Sequence, residues 1–156
     1  MQWDLCEKTE DAIVSYLKAN VNDELAVFAA WGFDGDDFVL PCAVVYAGSS
    51  EPISEPAEWH DPRMLSVQVA VMTESSPLTD DEGNELKTAR ERNIEARSKV
   101  MDLLFVSDLV TPLIARLIPD VAFSMAQATT TERSTEDKRL ITIINLEVIA
   151  EPVTGS

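Results

Sequence analysis

The stretch RMLSVQVAVMT, residues 63–73, alternates without a slip: Leu65, Val67, Val69 and Val71 fall on one parity, and Ser66, Gln68, Ala70 and Met72 on the other. Side chains of a strand point to opposite faces in turn, so a period of two over this length predicts a strand with one buried face. A sheet with an apolar face needs a second layer to cover it. The sequence supplies that layer as helices. From Asp4 to Ala19, Leu5, Ala12, Ile13, Tyr16 and Leu17 recur at helical spacing, with Glu7, Lys8, Glu10, Asp11 and Lys18 between them. That predicts an amphipathic helix with acids near its start, where the backbone dipole favours them.

A longer helix is predicted from about Asn84 to Val106, capped by Asn84 or opened by acids after the polar loop SSPLTDDEGNE. At 100° per residue Leu86, Ala89, Ala96, Val100, Met101 and Leu104 form one stripe, opposed by Glu91, Glu95, Lys99 and Asp102, with Glu95 and Lys99 spaced for an i,i+4 pair. A short helix is expected at Asp108–Leu117, with Pro112 in or near its first turn. Further strands are expected at Glu24–Trp31, before the turn GFDGDDF, and at Leu40–Tyr46, before a polar, proline-broken excursion from Ser49 to Asp61. The C-terminal third reads as a hairpin, VAFSMAQATTT and KRLITIINLEVIA joined by ERSTED. In its second arm Leu140, Thr142, Ile144, Leu146 and Val148 share one face, while Ile141, Ile143 and Ile149 put apolar weight on the other.

The expected order is α-β-β-β-α-α-β-β. This is an α+β fold: one antiparallel or mixed sheet of about five strands, with an N-terminal helix, a long central helix and a short helix packed on one side. At 156 residues the chain fits a single domain, expected over residues 1–150, with 151–156 as a fraying tail.

Charge narrows the function. The 28 acidic and 12 basic side chains give a formal net charge of -16. Such a surface repels phosphate backbones, which argues against gripping DNA by counterion release. Cys6 and Cys42 form no CxxC motif, and no disulfide or zinc framework is predicted. No signal-like leader or long apolar run is found, so a reducing cytoplasmic setting and no membrane partner are expected.

Candidate chemistry is sparse. His60, the single histidine, stands in AEWHDP beside Trp59 and Asp61, without a GxSxG elbow or a CGSC-like context. A loop histidine is the plainer reading. The acids of FDGDDF (Asp34, Asp36, Asp37) and of TDDEGNE (Asp80, Asp81, Glu82, Glu85) lack the twelve-residue calcium pattern; a turn explains the first set and a helix start the second. The five glycines never take phosphate-loop spacing. No catalysis, metal or cofactor is therefore expected. Arg90, Asn93 and Arg97 interrupt the apolar stripe of the long helix. Arginine stems reach out from a core edge, or they meet a neighbouring subunit's carboxylates.

Several segments together resemble the tail terminator proteins of long-tailed, lambda-like bacteriophages, a family of tail-completion and neck proteins. They are the N-terminal helix ending in IVSYLKA, the segment FVLPCAVVYAG, the polar excursion to Trp59, the strand MLSVQVAVMT, the long charged helix and the closing LITIINLEVIAEP. The likeness spans about residues 4–150 and rests on element order and strand wording, so no single residue is carried over. It implies a virion protein at the tail–head junction, assembled in the host cytoplasm. There it forms a ring, usually hexameric, that ends the tail tube, meets the head connector and lets genomic DNA pass. A bore lined by acid would repel phosphate at close range, with Asp34, Asp36 and Asp37 as candidates. A loop reaching out from a buried strand suits a subunit contact, with Glu51, Ile53, Glu55 and Trp59 as its candidates; Arg90 and Arg97 are candidates for subunit pairing. The alternatives are another head–tail joining protein of the same fold, an acidic DNA-mimic inhibitor, and a small hydrolase centred on His60.

Overall fold

A computed structural model of the chain describes residues 5–21, 25–30, 39–52, 63–104, 121–136 and 139–152. In chain order the elements are α1 (Leu5–Asn20), β1 (Ala26–Ala29), β2 (Cys42–Pro52), β3 (Arg63–Glu74), β4 (Leu78–Thr79), β5 (Glu85–Lys87), α2 (Ala89–Leu104), β6 (Val121–Glu136) and β7 (Arg139–Pro152). The fold is α+β with a mixed sheet, ordered β1-β2-β3-β7-β6, and β4 pairs with β5 in a separate two-stranded ribbon. β1 runs parallel to β2, while β2–β3, β3–β7 and β7–β6 are antiparallel.

The alternation in β3 does what its period requires. Leu65, Val67, Val69 and Val71 are all buried. They join Ala43, Val45 and Ala47 of β2 and Ile144, Leu146 and Val148 of β7 in one core cluster, covered by Ile13, Val14 and Leu17 of α1 and Ala96, Val100 and Leu104 of α2. Both helices thus lie on the same side of the sheet. α1 covers the β1–β2 half and α2 the β3–β7 half.

The opposite face of the sheet is a set of cross-strand rows. Cys42, Met72 and Ile141 stand in one row, Val44, Ala70 and Ile143 in the next, and Tyr46, Gln68 and Asn145 in a third. The first two rows are apolar, and Cys42, Val44 and Met72 form a second buried cluster with Phe28 and Leu40 against it. The third is polar: Gln68 Nε2 donates to Asn145 Oδ1 at 3.0 Å. The expectation that both faces of β7 carry apolar weight is met here, since Ile141, Ile143 and Ile149 are half-buried.

Several boundaries differ from the sequence reading, each for a local reason. β2 does not stop at Tyr46. After an irregularity between Ala47 and Ser49 it continues to Pro52, pairing Ser49 with Ser66 and Glu51 with Met64. The proposed excursion from Ser49 is therefore strand for its first four residues. The segment ERSTED is no loop over most of its length, because Ser134, Thr135 and Glu136 pair with Ile141, Leu140 and Arg139. Glu151 and Pro152, expected to fray, pair with Ala122 and Val121. The long helix starts at Ala89 and not at Asn84. Thr88 caps it, its Oγ1 accepting from the N–H of Glu91 at 3.1 Å, and Thr-x-x-Glu is the capping-box spacing. Leu86, assigned to the helix stripe, is instead 59% exposed on β5. The short helix expected at Asp108–Leu117 and the GFDGDD turn lie outside the described residues.

Candidate functional site

The β4–β5 ribbon is organised by Asp80. Its Oδ1 accepts from the N–H of Glu82 at 2.9 Å and of Asn84 at 2.8 Å, and its Oδ2 accepts from Asn84 Nδ2 at 3.2 Å. These donors, Asn84 foremost, hold the carboxyl below its usual range. Gly83 completes the turn at φ 85°, in the left-handed region that favours glycine. Asn84 and the acids of TDDEGNE thus form a ribbon tip, where a helix start was expected.

Two ion pairs tie the base of this ribbon to α2. Lys87 Nζ meets Glu95 Oε2 at 2.7 Å, and Arg92 Nη1 meets Glu74 Oε2 at 3.3 Å while also donating to the Ser76 carbonyl at 3.1 Å. Glu95 thus pairs with Lys87 of β5, a partner from outside the helix that the i,i+4 spacing with Lys99 did not suggest. Between ribbon and helix lies a shallow depression of about 130 Å³, with Leu25, Pro41 and Leu78 as its apolar walls and Lys87, Arg92 and Lys99 as its cations.

Beneath it sits a polar clamp that sequence reasoning missed. Asn93 is buried. Its Nδ2 donates to Thr73 Oγ1 at 3.0 Å and to the Leu140 carbonyl at 3.1 Å, while its Oδ1 accepts from Thr142 Oγ1 at 2.6 Å. One amide thereby joins α2 to β3 and β7, with partners for both its donor and its acceptor end. The signal was present, because Asn93 stands three residues before Ala96 on the core stripe. Its spacing groups it with Arg90 and Arg97, whose positions differ: Arg90 is exposed and Arg97 half-buried.

On the other helix Glu10, expected among the polar positions, is only 4% exposed. Its Oε2 accepts from the N–H of Ala47 at 3.0 Å, beside the irregularity in β2. A break in the strand ladder leaves backbone groups to be satisfied by side chains, and this carboxylate serves one of them. Tyr16 donates its hydroxyl to the Leu103 carbonyl at 3.0 Å, which links α1 to α2.

Both thiols are poor nucleophiles. Burial pushes Cys42 up to about 11, with Arg139 acting the other way. Cys6 is also raised by burial, against an opposing effect of Arg63. Both stay protonated at neutral pH.

Of the residues proposed from sequence for partner contact, Glu51 lies in β2 opposite Met64, and Arg90 and Arg97 lie seven positions apart on α2. Ile53, Glu55, Trp59 and His60, with Asp34, Asp36 and Asp37, lie outside the described residues. Among the described residues no group of three His, Cys, Asp or Glu is placed to hold a metal ion, and no helix is long and apolar enough to cross a membrane. No protein-family model matches the chain, and a search of curated proteins returns no match.

Proposed function

We propose that this chain is a structural subunit of a bacteriophage virion, one that ends the tail tube and joins it to the head connector as a ring, hexameric by the resemblance, through which DNA passes. The observation that carries the reading is the one-sided build of the fold. Both described helices pack on a single face of the sheet; on the opposite face, beside the buried cluster of Cys42, Val44 and Met72, one polar row comes to the surface. On that opposite face, which carries no helix among the described residues, Tyr46 is 50% exposed and heads the polar row of Gln68 and Asn145. Surface of this kind serves assembly, with affinity set by a few well-placed aromatic and arginine side chains. The resemblance in element order and strand wording supports the same reading, and the net charge of -16 suits a channel wall that DNA slides past. Arg90 and Arg97 are the subunit-pairing residues in this account. Glu51, Ile53, Glu55 and Trp59 are the proposed contacts with the neighbour or the tube, and Asp34, Asp36 and Asp37 the proposed acids of the bore.

The test is tube growth. Added to polymerising tail-tube protein, the chain should stop elongation and shift the length distribution to shorter, capped tubes. Tubes that grow to the same lengths with and without it would overturn the proposal.

A further inference from the structure

The depression between the β4–β5 ribbon and α2 is lined by hydrogen-bond donors that the described residues leave unspent. Arg92 lines it and uses one nitrogen, Nη1, for Glu74 and for the Ser76 carbonyl. Its Nε and Nη2 have no acceptor among the described residues, although the side chain is only 22% exposed. Thr73 of β3, 3% exposed, lines the same hollow. Its Oγ1 accepts from Asn93, and among the described residues its hydroxyl hydrogen is uncommitted. Lys87 Nζ carries three donors and meets one acceptor, Glu95. Unspent donors on little-exposed side chains are uncommon in folded proteins. Here they gather beside a single hollow, and an acceptor placed in it would use them together.

We propose that this depression is a binding site for a small monocarboxylate with a short aliphatic body. Charge selects the sign of the ligand. Lys87, Arg92 and Lys99 line the hollow against Glu74 and Glu95, three charges less two, so its lining is net +1 in a chain whose total is -16. A single negative charge balances that lining, and a neutral ligand leaves it unmet. Shape selects the carboxylate. The nitrogens left on Arg92 are the Nε–Nη2 edge of the guanidinium, a planar fork that a carboxylate meets with two parallel hydrogen bonds. The Thr73 hydroxyl supplies a further donor. Leu25, Pro41 and Leu78 give the ligand's body an apolar wall, which a bare inorganic anion would not use. Volume selects the size: the hollow is about 130 Å³, and a cavity of about 150 Å³ holds a benzene ring, so about six non-hydrogen atoms fit, as in butyrate. The site goes beyond the ring reading and does not depend on it.

Titration of the nitrogen-15-labelled full chain with sodium butyrate, followed by NMR at the amide and arginine Nε–H resonances, tests it, with sodium chloride at matched ionic strength as the baseline. The Arg92 Nε–H and the amides of Thr73 and Leu78 should shift together and saturate, with a dissociation constant of roughly 1–10 mM, the range open to a ligand of about six non-hydrogen atoms. Butyramide, which keeps the shape and lacks the charge, should bind about tenfold more weakly or worse. Arg92→Lys keeps the charge and loses the fork, and Leu78→Asp sets a carboxylate in the wall; each should weaken butyrate by about fivefold or more. A thermal melt reports folding. Leu78 is 38% exposed, so its variant carries the test if Arg92→Lys unfolds. No saturable shift at these residues below roughly 100 mM butyrate would overturn the site. Equal binding of butyramide, or inorganic phosphate binding as tightly as butyrate, would overturn the assignment to a carboxylate. Wild-type affinity in the folded variants would remove the ligand from this depression.

Discussion

Replacing Asn93 by alanine tests how the displayed surface of α2 is held. The substitution removes an amide that makes three hydrogen bonds at 2.6–3.1 Å in a buried site, and it leaves two threonine hydroxyls and the Leu140 carbonyl behind. A net hydrogen bond contributes about 0.5–1.5 kcal/mol, and an orphaned buried group costs about 1–3 kcal/mol. The hydroxyls of Thr73 and Thr142 are free to rotate toward other acceptors, so the loss is not the full sum of three orphans. We expect about 3 kcal/mol. For a chain of 156 residues that lowers the melting midpoint by about 6–12 °C. The assay is urea unfolding followed by far-UV circular dichroism, run as a double-mutant cycle with Thr142→Val. Because Thr142 donates to the amide oxygen, the two losses should be less than additive by about 1 kcal/mol. A loss below about 0.5 kcal/mol for Asn93→Ala, or strict additivity, would refute the clamp.

Three further outcomes follow from single groups. Glu10→Ala should destabilise by about 2 kcal/mol, because the buried Ala47 N–H loses its acceptor, and equal stability to wild type in urea would contradict that role. Asp80 has a lowered folded pKa, so its stabilisation of the ribbon turn is present above the ordinary value of 3.8 and is lost as pH falls through the lower folded value. Protection of the Glu82 and Asn84 amides, relative to their intrinsic exchange rates, should therefore fall as pH drops below the ordinary carboxylate value, and in Asp80→Ala it should be low at every pH; protection in the wild type that does not change with pH would count against it. Cys42 is fully buried with its thiol pushed up to about 11, so iodoacetamide at about pH 8 should modify it only after unfolding; stoichiometric labelling of the native protein would show the burial to be wrong.

The parts of this fold that could be read from sequence are those where a long periodic signal met an uninterrupted element. β3 alternates over its whole length and α1 repeats Ala12, Ile13, Tyr16 and Leu17 at helical spacing, so the burial of Leu65, Val67, Val69 and Val71 and of Ile13 and Leu17 was predictable. The errors gather where tertiary partners override local preference. β4 and β5 are two and three residues long, too short for any period, and their acids resembled a helix start until Asp80 was seen to close a turn. β2 runs past its apolar half because β3 offers it a ladder as far as Arg63. Glu10 and Asn93 are polar side chains on core stripes. Pattern reading treats such residues as surface or as interruptions, since the buried N–H, hydroxyl or carbonyl that justifies them belongs to another element. Arg90 and Arg97 were legible as unusual cations, but the clamp between them was not.

As proposed, this chain acts through displayed surface, as a ring at the end of a tube. Electron microscopy of the protein mixed with tail tubes tests that most directly. The expected image is a closed ring seated on one end of each tube, with a central channel. Bare tube ends beside free monomers would contradict it.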